Sequence, residues 1–387
     1  MKIAIVVEDF DPNKGYLEYY LARELTKLGH KVYIFTFGWS KSPSKTMLKE
    51  GFEVVNVPHI AEIGGYHVPN FSGVAHIFTF IKVEKPDIIH CDLLGSPLSL
   101  IFIAWKNLFK YKIVGSILTQ LNLVFSPWNI KKKILFSFSK IVVTNYVEKR
   151  SEIIFAKTTG LMELITRSYD LPSNKFRIIP LGADPELFRF DSRKRVNLRK
   201  KLGLSESDVV IVYSGKIDSS KGLDVLIRAL SHIIASNNKV KLLVIGEGKS
   251  FYIEYLEKLI SNLRISDNVI FYPWVKRTIL PSFYSASDIG VWPGLSSISI
   301  VEAASTGLPI IIASYPVETF ALENENGFAF KLGNVKELRK CLEILIYNDK
   351  LRKEMGRRSR LLVEQKLNWK AITTQYLNAY NLALNKS

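Results

Sequence analysis

The chain has 387 residues, more than the roughly 250 to 300 that one hydrophobic core usually serves, so two domains are expected. Hydrophobic residues make up 47% and charged residues 23% of the chain, and this balance excludes a largely disordered protein. The formal net charge of +17 fits three kinds of partner: nucleic acid, an anionic membrane surface, or phosphate-bearing small molecules.

The beginning of the chain lacks the features of a signal peptide. Residues 1–7 form only a short apolar run, and the acidic Glu8 and Asp9 follow it directly. The longest apolar stretch, residues 98–105, is far shorter than the roughly 20 residues that cross a bilayer. We therefore expect a cytoplasmic protein without a membrane-spanning helix.

Strands and helices are predicted to alternate through the first half. Residues 2–7 suit a buried strand, apolar residues at helical spacing from Leu17 to Leu28 predict a helix that ends at Gly29, and residues 31–37 predict the next strand. This unit implies parallel strands joined by a right-handed crossover. The later strands are predicted at residues 52–57, 87–90, 112–116, 140–143 and 176–179. The first half is therefore expected to be an open α/β sheet.

A break in the pattern separates the two halves. The proline- and glycine-containing segment 180–185 and the basic run 191–201 predict an interdomain linker. A second α/β series follows, with a helix at 223–235 and strands at 208–213, 240–245, 268–272, 288–292 and 309–313. Two doubly wound halves are thus expected to face each other across a cleft, with ligands beyond the carboxyl ends of the strands.

The loop from Gly215 to Gly222 leads from a predicted strand into an amphipathic helix and carries two lysines, Lys216 and Lys221. Backbone N–H groups and the helix dipole favour an anion at such a helix start, and two ammonium groups five residues apart can hold the oxygens of a diphosphate. Most loop lysines are merely solvated, so a plain surface loop is the alternative interpretation.

A second motif runs from Trp292 to Pro309 and places Glu302 in a helix that follows a loop of small residues. A carboxylate among apolar and small neighbours needs partners, and the paired hydroxyls of a ribose would supply two hydrogen bonds to it. A glutamate satisfied by a neighbouring backbone group is the alternative.

Together these motifs resemble the retaining family 4 glycosyltransferases of the GT-B fold, also called glycosyl transferases group 1, over nearly the whole chain. The segments that carry the resemblance are 13–15, 28–32, 87–90, 179–188, 215–222, 245–248 and 302–309. It implies a Rossmann-like acceptor-binding domain at 1–186 and a Rossmann-like nucleotide-sugar-binding domain at 187–368. It also implies that a C-terminal helix, 369–387, crosses back onto the N-terminal domain.

The resemblance assigns roles to individual residues. Lys216 and Lys221 would neutralise the donor diphosphate. His90 and Asp92 are the catalytic candidates of the first half, and the polar group nearest the reacting carbon is expected to be Asp92 rather than a histidine. The implied donor-binding residues are Gly15, Gly215, Val275, Ser297, Ser299, Ile300 and Glu302. Within this set the resemblance implies that Glu302 binds the ribose hydroxyls and that the backbone around Val275 meets the nucleobase. It also implies that the loop amides near Ser299 and Ile300 face the phosphates. Preorganised lysines stabilise the charge of a departing diphosphate, and no metal-ligand cluster is visible, so we expect neither a metal nor a cofactor.

The chain departs from the family pattern at three positions. Gly294 stands where the first of two glutamates usually lies near the donor sugar, which leaves the sugar unidentified. Lys216 replaces an arginine and keeps the charge without bidentate geometry. His90-Cys91-Asp92 replaces a motif of two histidines separated by one residue.

The segment 93–147 has an unusual composition, with seven lysines, nine aromatic residues and no aspartate or glutamate. Lysine mixed with tryptophan and phenylalanine suits a membrane interface, so we expect peripheral binding to the inner face of a membrane and a lipid-linked or cell-envelope acceptor. The alternative is that the rings belong to the core and the lysines to an ordinary surface. No nucleic-acid-binding signature is present.

The leading hypothesis is a glycosyltransferase that retains configuration, with a sugar or lipid-linked acceptor held by the N-terminal half. A catalytically silent nucleotide-sugar-binding subunit and a nucleotide-sugar epimerase of the same architecture are the alternatives. A dehydrogenase is excluded because the loop 8–15 has a single glycine instead of Gly-x-Gly-x-x-Gly.

Overall fold

The computed structural model describes residues 1–12, 14, 16–38, 42–63, 66–93, 96–116, 140–294, 297–314, 322 and 325–386. It divides into two compact units, of which the first comprises residues 1–179 with 372–387 and the second comprises residues 180–371. None of the described helices is long and apolar enough to cross a membrane.

The first unit contains a large sheet flanked by helices. Its strands are β1 Lys2–Val6, β2 Lys31–Gly38, β3 Ser44–Met47, β4 Glu53–Ile63, β5 Tyr66–Pro69, β6 Ile88–Asp92, β7 Lys112–Ser116, β8 Ile153–Ala156 and β9 Phe176–Ile178. Its helices include α1 Leu17–Lys27, α2 Phe71–Glu84, α3 Pro97–Phe109 and α4 Thr159–Tyr169, with a π-helical turn at Val143–Val147. The described strands follow the order β3-β4-β2-β1-β6-β7-β8-β9, and β5 pairs with β4.

The second unit contains a wholly parallel sheet. Its strands are β10 Val209–Ser214, β11 Val240–Ile245, β12 Val269–Tyr272, β13 Ile289–Trp292, β14 Ile310–Ala313 and β15 Gly327–Phe330, in the order β12-β11-β10-β13-β14-β15. Its helices are α5 Ser192–Lys201, α6 Leu223–Ile234, α7 Ser250–Asn262, α8 Leu280–Ala286, α9 Ile298–Ser305, α10 Val335–Tyr347 and α11 Asp349–Leu362. A last helix, α12 Trp369–Leu384, begins in this unit and continues into the first.

Continuous apolar runs build both sheets, because parallel strands are covered on both faces. In β1 the residues from Ile3 to Val6 are at most 2% exposed, and in β14 Ile310 to Ala313 are fully buried. The predicted α/β class with two Rossmann-like sheets is therefore confirmed.

One predicted strand is wrong, and the basic run 191–201, predicted as part of the linker, is the helix α5 of the second unit, capped by Asp191. Residues 140–142 are helical and lead into the π-helical turn Val143–Val147, whereas the strand that pairs with β7 is β8. Both segments are short apolar runs, and periodicity alone does not separate a buried strand from a buried helical turn.

Candidate functional site

Two loops of the second unit leave the sheet side by side. β10 and β13 are parallel neighbours, with Ile211 opposite Ile289 and Val212 opposite Gly290. The loop after β10 carries the two predicted donor lysines, and the loop after β13 leads into α9. Because both loops follow the carboxyl ends of adjacent parallel strands, they lie where ligands of such sheets bind.

A buried tryptophan joins these loops. Trp292, 1% exposed, donates its indole N–H to the backbone oxygen of Ser214 and to the Ser299 hydroxyl, both at 3.0 Å. The Ser299 hydroxyl in turn donates to the same Ser214 oxygen at 2.8 Å. The end of β10 and the start of α9 are therefore held together by side-chain hydrogen bonds.

The backbones of the two loops touch directly. The turn Ser219–Lys221 ends at Gly222, which has a φ of 65°, and a Cβ on Gly222 would lie 2.8 Å from the Pro293 oxygen. A Cβ on Gly294 would lie 2.3 Å from the Ser220 oxygen and 2.5 Å from the Lys221 carbonyl carbon. This packing leaves no room for a side chain at residue 294, the position of the missing family glutamate.

The predicted phosphate-binding lysines have different surroundings. The Lys216 side chain is 71% exposed, and its Nζ lies 3.9 Å from Asp218 Oδ2. Lys221 is half-buried at the end of a turn that is capped by Asp218, whose carboxylate accepts the Ser220 N–H at 2.9 Å. Gly215, just before Lys216, has a φ of 147°, in the region that favours glycine. The structure thus brings both lysines onto one loop.

The start of α9 uses its polar groups internally. Ser297 caps the helix, its hydroxyl accepts the Ser299 N–H at 3.4 Å, and its carbonyl accepts the Ile300 N–H at 3.2 Å. Ser299 is 5% exposed, and its hydroxyl accepts the indole N–H of Trp292. The predicted role of the Ser299 and Ile300 amides toward phosphate stays a prediction.

Glu302 is a buried carboxylate paired with an arginine. It is 2% exposed, and its Oε1 is in ion-pair contact with Nη2 of Arg277. The Arg277 guanidinium also lies 5.4 Å from the centre of the Phe188 ring. Burial raises the pKa of the Glu302 carboxyl, and the Arg277 cation opposes that rise. Nothing in the sequence motifs indicated Arg277.

A tyrosine stands beside this ion pair. The Tyr284 hydroxyl lies 2.7 Å from the Ser214 hydroxyl and donates to the Ser299 carbonyl at 3.4 Å. Burial is the main cause that raises the Tyr284 pKa well above its usual value, and the charge of Glu302 adds to it. The phenol therefore stays neutral near Glu302.

Val275, the predicted base contact, lies in the loop between β12 and α8, which also carries Arg277. Val275 is half-buried, and its neighbour Trp274 is 53% exposed. The predicted base contact and the partner of Glu302 thus come from one loop.

His90 and Asp92, the predicted catalytic residues of the first unit, lie on β6. His90 is 6% exposed, and its Nδ1 lies 2.7 Å from the hydroxyl of Tyr380 on α12. Burial, aided by the Lys157 charge, lowers the His90 pKa to about 3, so the ring is neutral at neutral pH. Asp92 is the last residue of β6 and is half-buried. These surroundings favour a structural role for His90, and the catalytic roles of both residues stay predictions.

A buried lysine of the first unit escaped sequence analysis. Lys157 directly follows β8, is 5% exposed and donates to the hydroxyl of Tyr376 on α12 at 2.8 Å. Burial lowers its pKa to about 8. The sequence signal that could have indicated a buried lysine is its position between an apolar strand and Thr158, which caps α4.

An apolar groove of about 590 Å³ also lies in the first unit. Its lining residues are Leu100, Ile101, Ala104, Ile141, Val142 and Tyr146. All belong to the acid-free segment 93–147. Gly15 and the lysine triplet 131–133 lie outside the described residues. Within the described part of the chain, no group of three or more His, Cys, Asp or Glu side chains could hold a metal ion.

Two family models match successive parts of the chain. Residues 18–187 match Glycosyltransferase Family 4, and residues 194–362 match Glycosyl transferases group 1. An uncharacterized glycosyltransferase of Methanocaldococcus jannaschii is 24% identical, with 99% of each chain covered. D-inositol 3-phosphate glycosyltransferase of Xylanimonas cellulosilytica is also 24% identical, with 95% of this chain and 90% of the relative covered.

The fold is similar to that of solved glycosyltransferases. The crystal structure of Anabaena HepE in complex with UDP-glucose has a TM-score of 0.77 and 17% identity, with 99% of this chain and 100% of that chain covered. Fold and matches together define a glycosyltransferase enzyme that uses nucleotide sugars. The chain belongs to the family 4 glycosyltransferases of group 1, with the GT-B fold.

Proposed function

We propose that this protein transfers a sugar from a nucleoside-diphosphate sugar held by the second unit to an acceptor held by the first, with retention of configuration and without a metal. The bond from the anomeric carbon to the diphosphate oxygen breaks, and a bond to the acceptor oxygen forms. The acceptor hydroxyl loses its proton to the departing diphosphate. The nucleoside diphosphate then leaves.

One observation carries the donor site. The loop with Lys216 and Lys221 and the loop that leads to Glu302 follow adjacent strands and are tied by the Trp292 hydrogen bonds. Two cations suit a diphosphate, and a carboxylate suits the hydroxyl groups of a ribose. We assign the diphosphate to the lysines, the ribose hydroxyls to Glu302 and the base to the backbone at Val275.

The lysines also supply the electrostatic part of catalysis. Negative charge grows on the diphosphate as it leaves, and fixed ammonium groups stabilise that charge where a metal ion would otherwise do so. Activity is therefore expected to persist in excess EDTA. Complete loss of activity in EDTA, restored by magnesium or manganese, would contradict this assignment.

A nucleotide-sugar panel tests the donor site. UDP-, GDP- and ADP-sugars are added to the full-length protein, and the one that raises Tm identifies the base, because binding stabilises the native state. Lys221→Ala and Glu302→Gln are each expected to lose about tenfold to a hundredfold in donor affinity while remaining folded. Lys258→Ala, an exposed lysine on α7, is the matched control.

The outcomes distinguish an active transferase from the alternative functions of the donor site. Full affinity in either site variant would remove the donor-site assignment. Donor binding without turnover would instead indicate a catalytically silent subunit. The anomeric configuration of the product, read by NMR against that of the donor, decides retention.

For the acceptor we propose a lipid-linked or cell-envelope molecule reached by docking the segment 93–147 on an anionic membrane. The apolar groove near α3 and the absence of acidic residues in that segment support this proposal. Each lysine near anionic lipid contributes about 1 kcal/mol. Co-sedimentation with vesicles containing phosphatidylglycerol is expected at low salt and is expected to weaken when lysines 131–133 become glutamine. Absence of binding, or binding unchanged in that variant, favours a soluble acceptor.

A further inference from the structure

The ion pair between Arg277 and Glu302 is unusual because both partners are removed from water. The side chains are 10% and 3% exposed, respectively. Removing two charges from water is unfavourable for each ion, and the attraction within the pair offsets this only with good geometry and further hydrogen bonds. Apart from the contact with Arg277, Glu302 Oε1 has no hydrogen-bond partner among the described residues. The carboxylate therefore retains unused acceptor capacity in a buried place.

The pair also joins helix α9, to which we assign the ribose, and the loop before α8, to which we assign the base. Arg277 lies two residues after Val275, and Glu302 lies in α9 after β13. The Arg277 guanidinium lies near the Phe188 ring, a face that favours a cation. A carboxylate offers about four lone-pair sites, more than one guanidinium group can fill, so sites remain for hydroxyl groups.

We propose that Arg277 is a positioning residue of the donor site, which fixes the Glu302 carboxylate so that it accepts hydrogen bonds from the two ribose hydroxyls. This inference rests on the proposed function, because it assumes that Glu302 meets the ribose. Arg277 itself need not touch the donor. Its loss would disturb recognition of the ribose and leave recognition of the diphosphate intact.

The charged groups around Glu302 give this role a pH signature. Arg277 faces it from the loop before α8, Tyr284 faces it from α8, and Arg360 bonds the Ser305 carbonyl at the far end of α9. Among the described residues, the Arg277 cation is the group that opposes the effect of burial on the Glu302 pKa. Without Arg277 that pKa rises further, so the carboxyl group keeps its proton to higher pH and, while protonated, loses acceptor capacity. Raising the pH should restore the charge.

The experiment compares two probes, UDP and 2′,3′-dideoxy-UDP, or the GDP or ADP pair if the panel selects that base. Affinities of full-length wild type, Arg277→Met, Arg277→Lys and Glu302→Gln are measured by calorimetry from pH 6.5 to 9. In wild type the hydroxyls are expected to contribute about tenfold to a hundredfold in affinity. In Arg277→Met this ratio is expected to fall below that of wild type, and to recover in part as the pH is raised through the measured range.

The variants distinguish positioning from mere structural support. Arg277→Lys keeps the cation, so it is expected to keep the wild-type pH profile and part of the preference for UDP over the dideoxy probe. It also serves as the second variant if Arg277→Met does not fold. The affinity for the dideoxy probe is expected to stay within about twofold throughout, since its contacts do not involve Glu302. Donor KM should rise in Arg277→Met while kcat changes little.

Two results overturn the inference in different ways. If Glu302→Gln discriminates like wild type, the carboxylate does not bind the ribose and that part of the proposed function fails. If Glu302→Gln loses discrimination but Arg277→Met keeps the wild-type ratio and pH profile, the donor site stands and the role of Arg277 is refuted.

Discussion

Substituting Gly294 by alanine probes the contact between the two donor loops. The added Cβ would lie 2.3 Å from the Ser220 oxygen and 2.6 Å from the Lys221 Cα, and both are backbone atoms that no rotamer change can move. Ordinary contact requires about 3.5 Å, so the loop that carries Lys221 must move by about 1 Å. Gly294 does not have a positive φ, so the effect is steric alone.

The expected cost follows from that shift. Overpacking of this kind costs about 1 to 3 kcal/mol, and a misplacement of about 1 Å in a site lowers the rate by up to a hundredfold. We expect kcat/KM of Gly294→Ala to fall about tenfold to a hundredfold. Gly294→Glu, which installs the family residue, is expected to lose at least as much, because its Cβ meets the same atoms.

Steady-state kinetics with the donor chosen from the nucleotide-sugar panel measure this effect. Gly333→Ala is the matched control, because no atom of the described residues lies within 4 Å of its added Cβ and its φ of 78° affects only stability. Full activity in Gly294→Ala, or higher activity in Gly294→Glu, would refute the argument that close packing of the loops requires glycine.

Three further predictions concern stability and salt dependence. In wild type the folded-state pKa of His90, about 3, lies below the unfolded-state value of about 6.5, so the free energy of unfolding falls by up to about 1.4 kcal/mol per pH unit below pH 6.5. His90→Gln is expected to reduce this fall, and urea unfolding at pH 7 and pH 5 measures it. Asp288→Asn should cost about 3 to 5 kcal/mol in urea unfolding, because it breaks a pair with Arg199, 1% exposed, at 2.6 Å. Donor affinity measured from 50 to 500 mM NaCl should fall more steeply in wild type than in Lys221→Ala, and equal slopes would argue against an ionic contact.

Much of the architecture was predictable because it depends on local patterns. β1, β2 and β10 are continuous apolar runs, and Gly29, with a φ of 81°, ends α1 as expected. The antiparallel strands β3 and β5 were not predicted, since the four residues of β3 are all exposed and β3 carries no apolar alternation. Its place depends on pairing with β4, which is a tertiary contact.

The site was predictable in part for the same reason. Lys221 and Glu302 belong to contiguous motifs, so sequence order indicated them. Arg277 lies in a loop without periodicity, and its partnership with Glu302 exists only after β12 and β13 join the same sheet. The close approach of Gly294 to the Lys221 loop likewise depends on spatial packing, which no local pattern encodes.

The division of the chain has a consequence for folding during synthesis. The first unit is completed by residues 372–387, which bring Tyr376 and Tyr380 against Lys157 and His90. About 190 residues of the second unit must be translated before that helix emerges. At about 5 to 20 residues per second this takes about 10 to 40 s. During that time Lys157 and His90 of the nascent first unit lack the tyrosines that bury them in the complete fold. The first unit can therefore complete its fold only after the last helix has been synthesised.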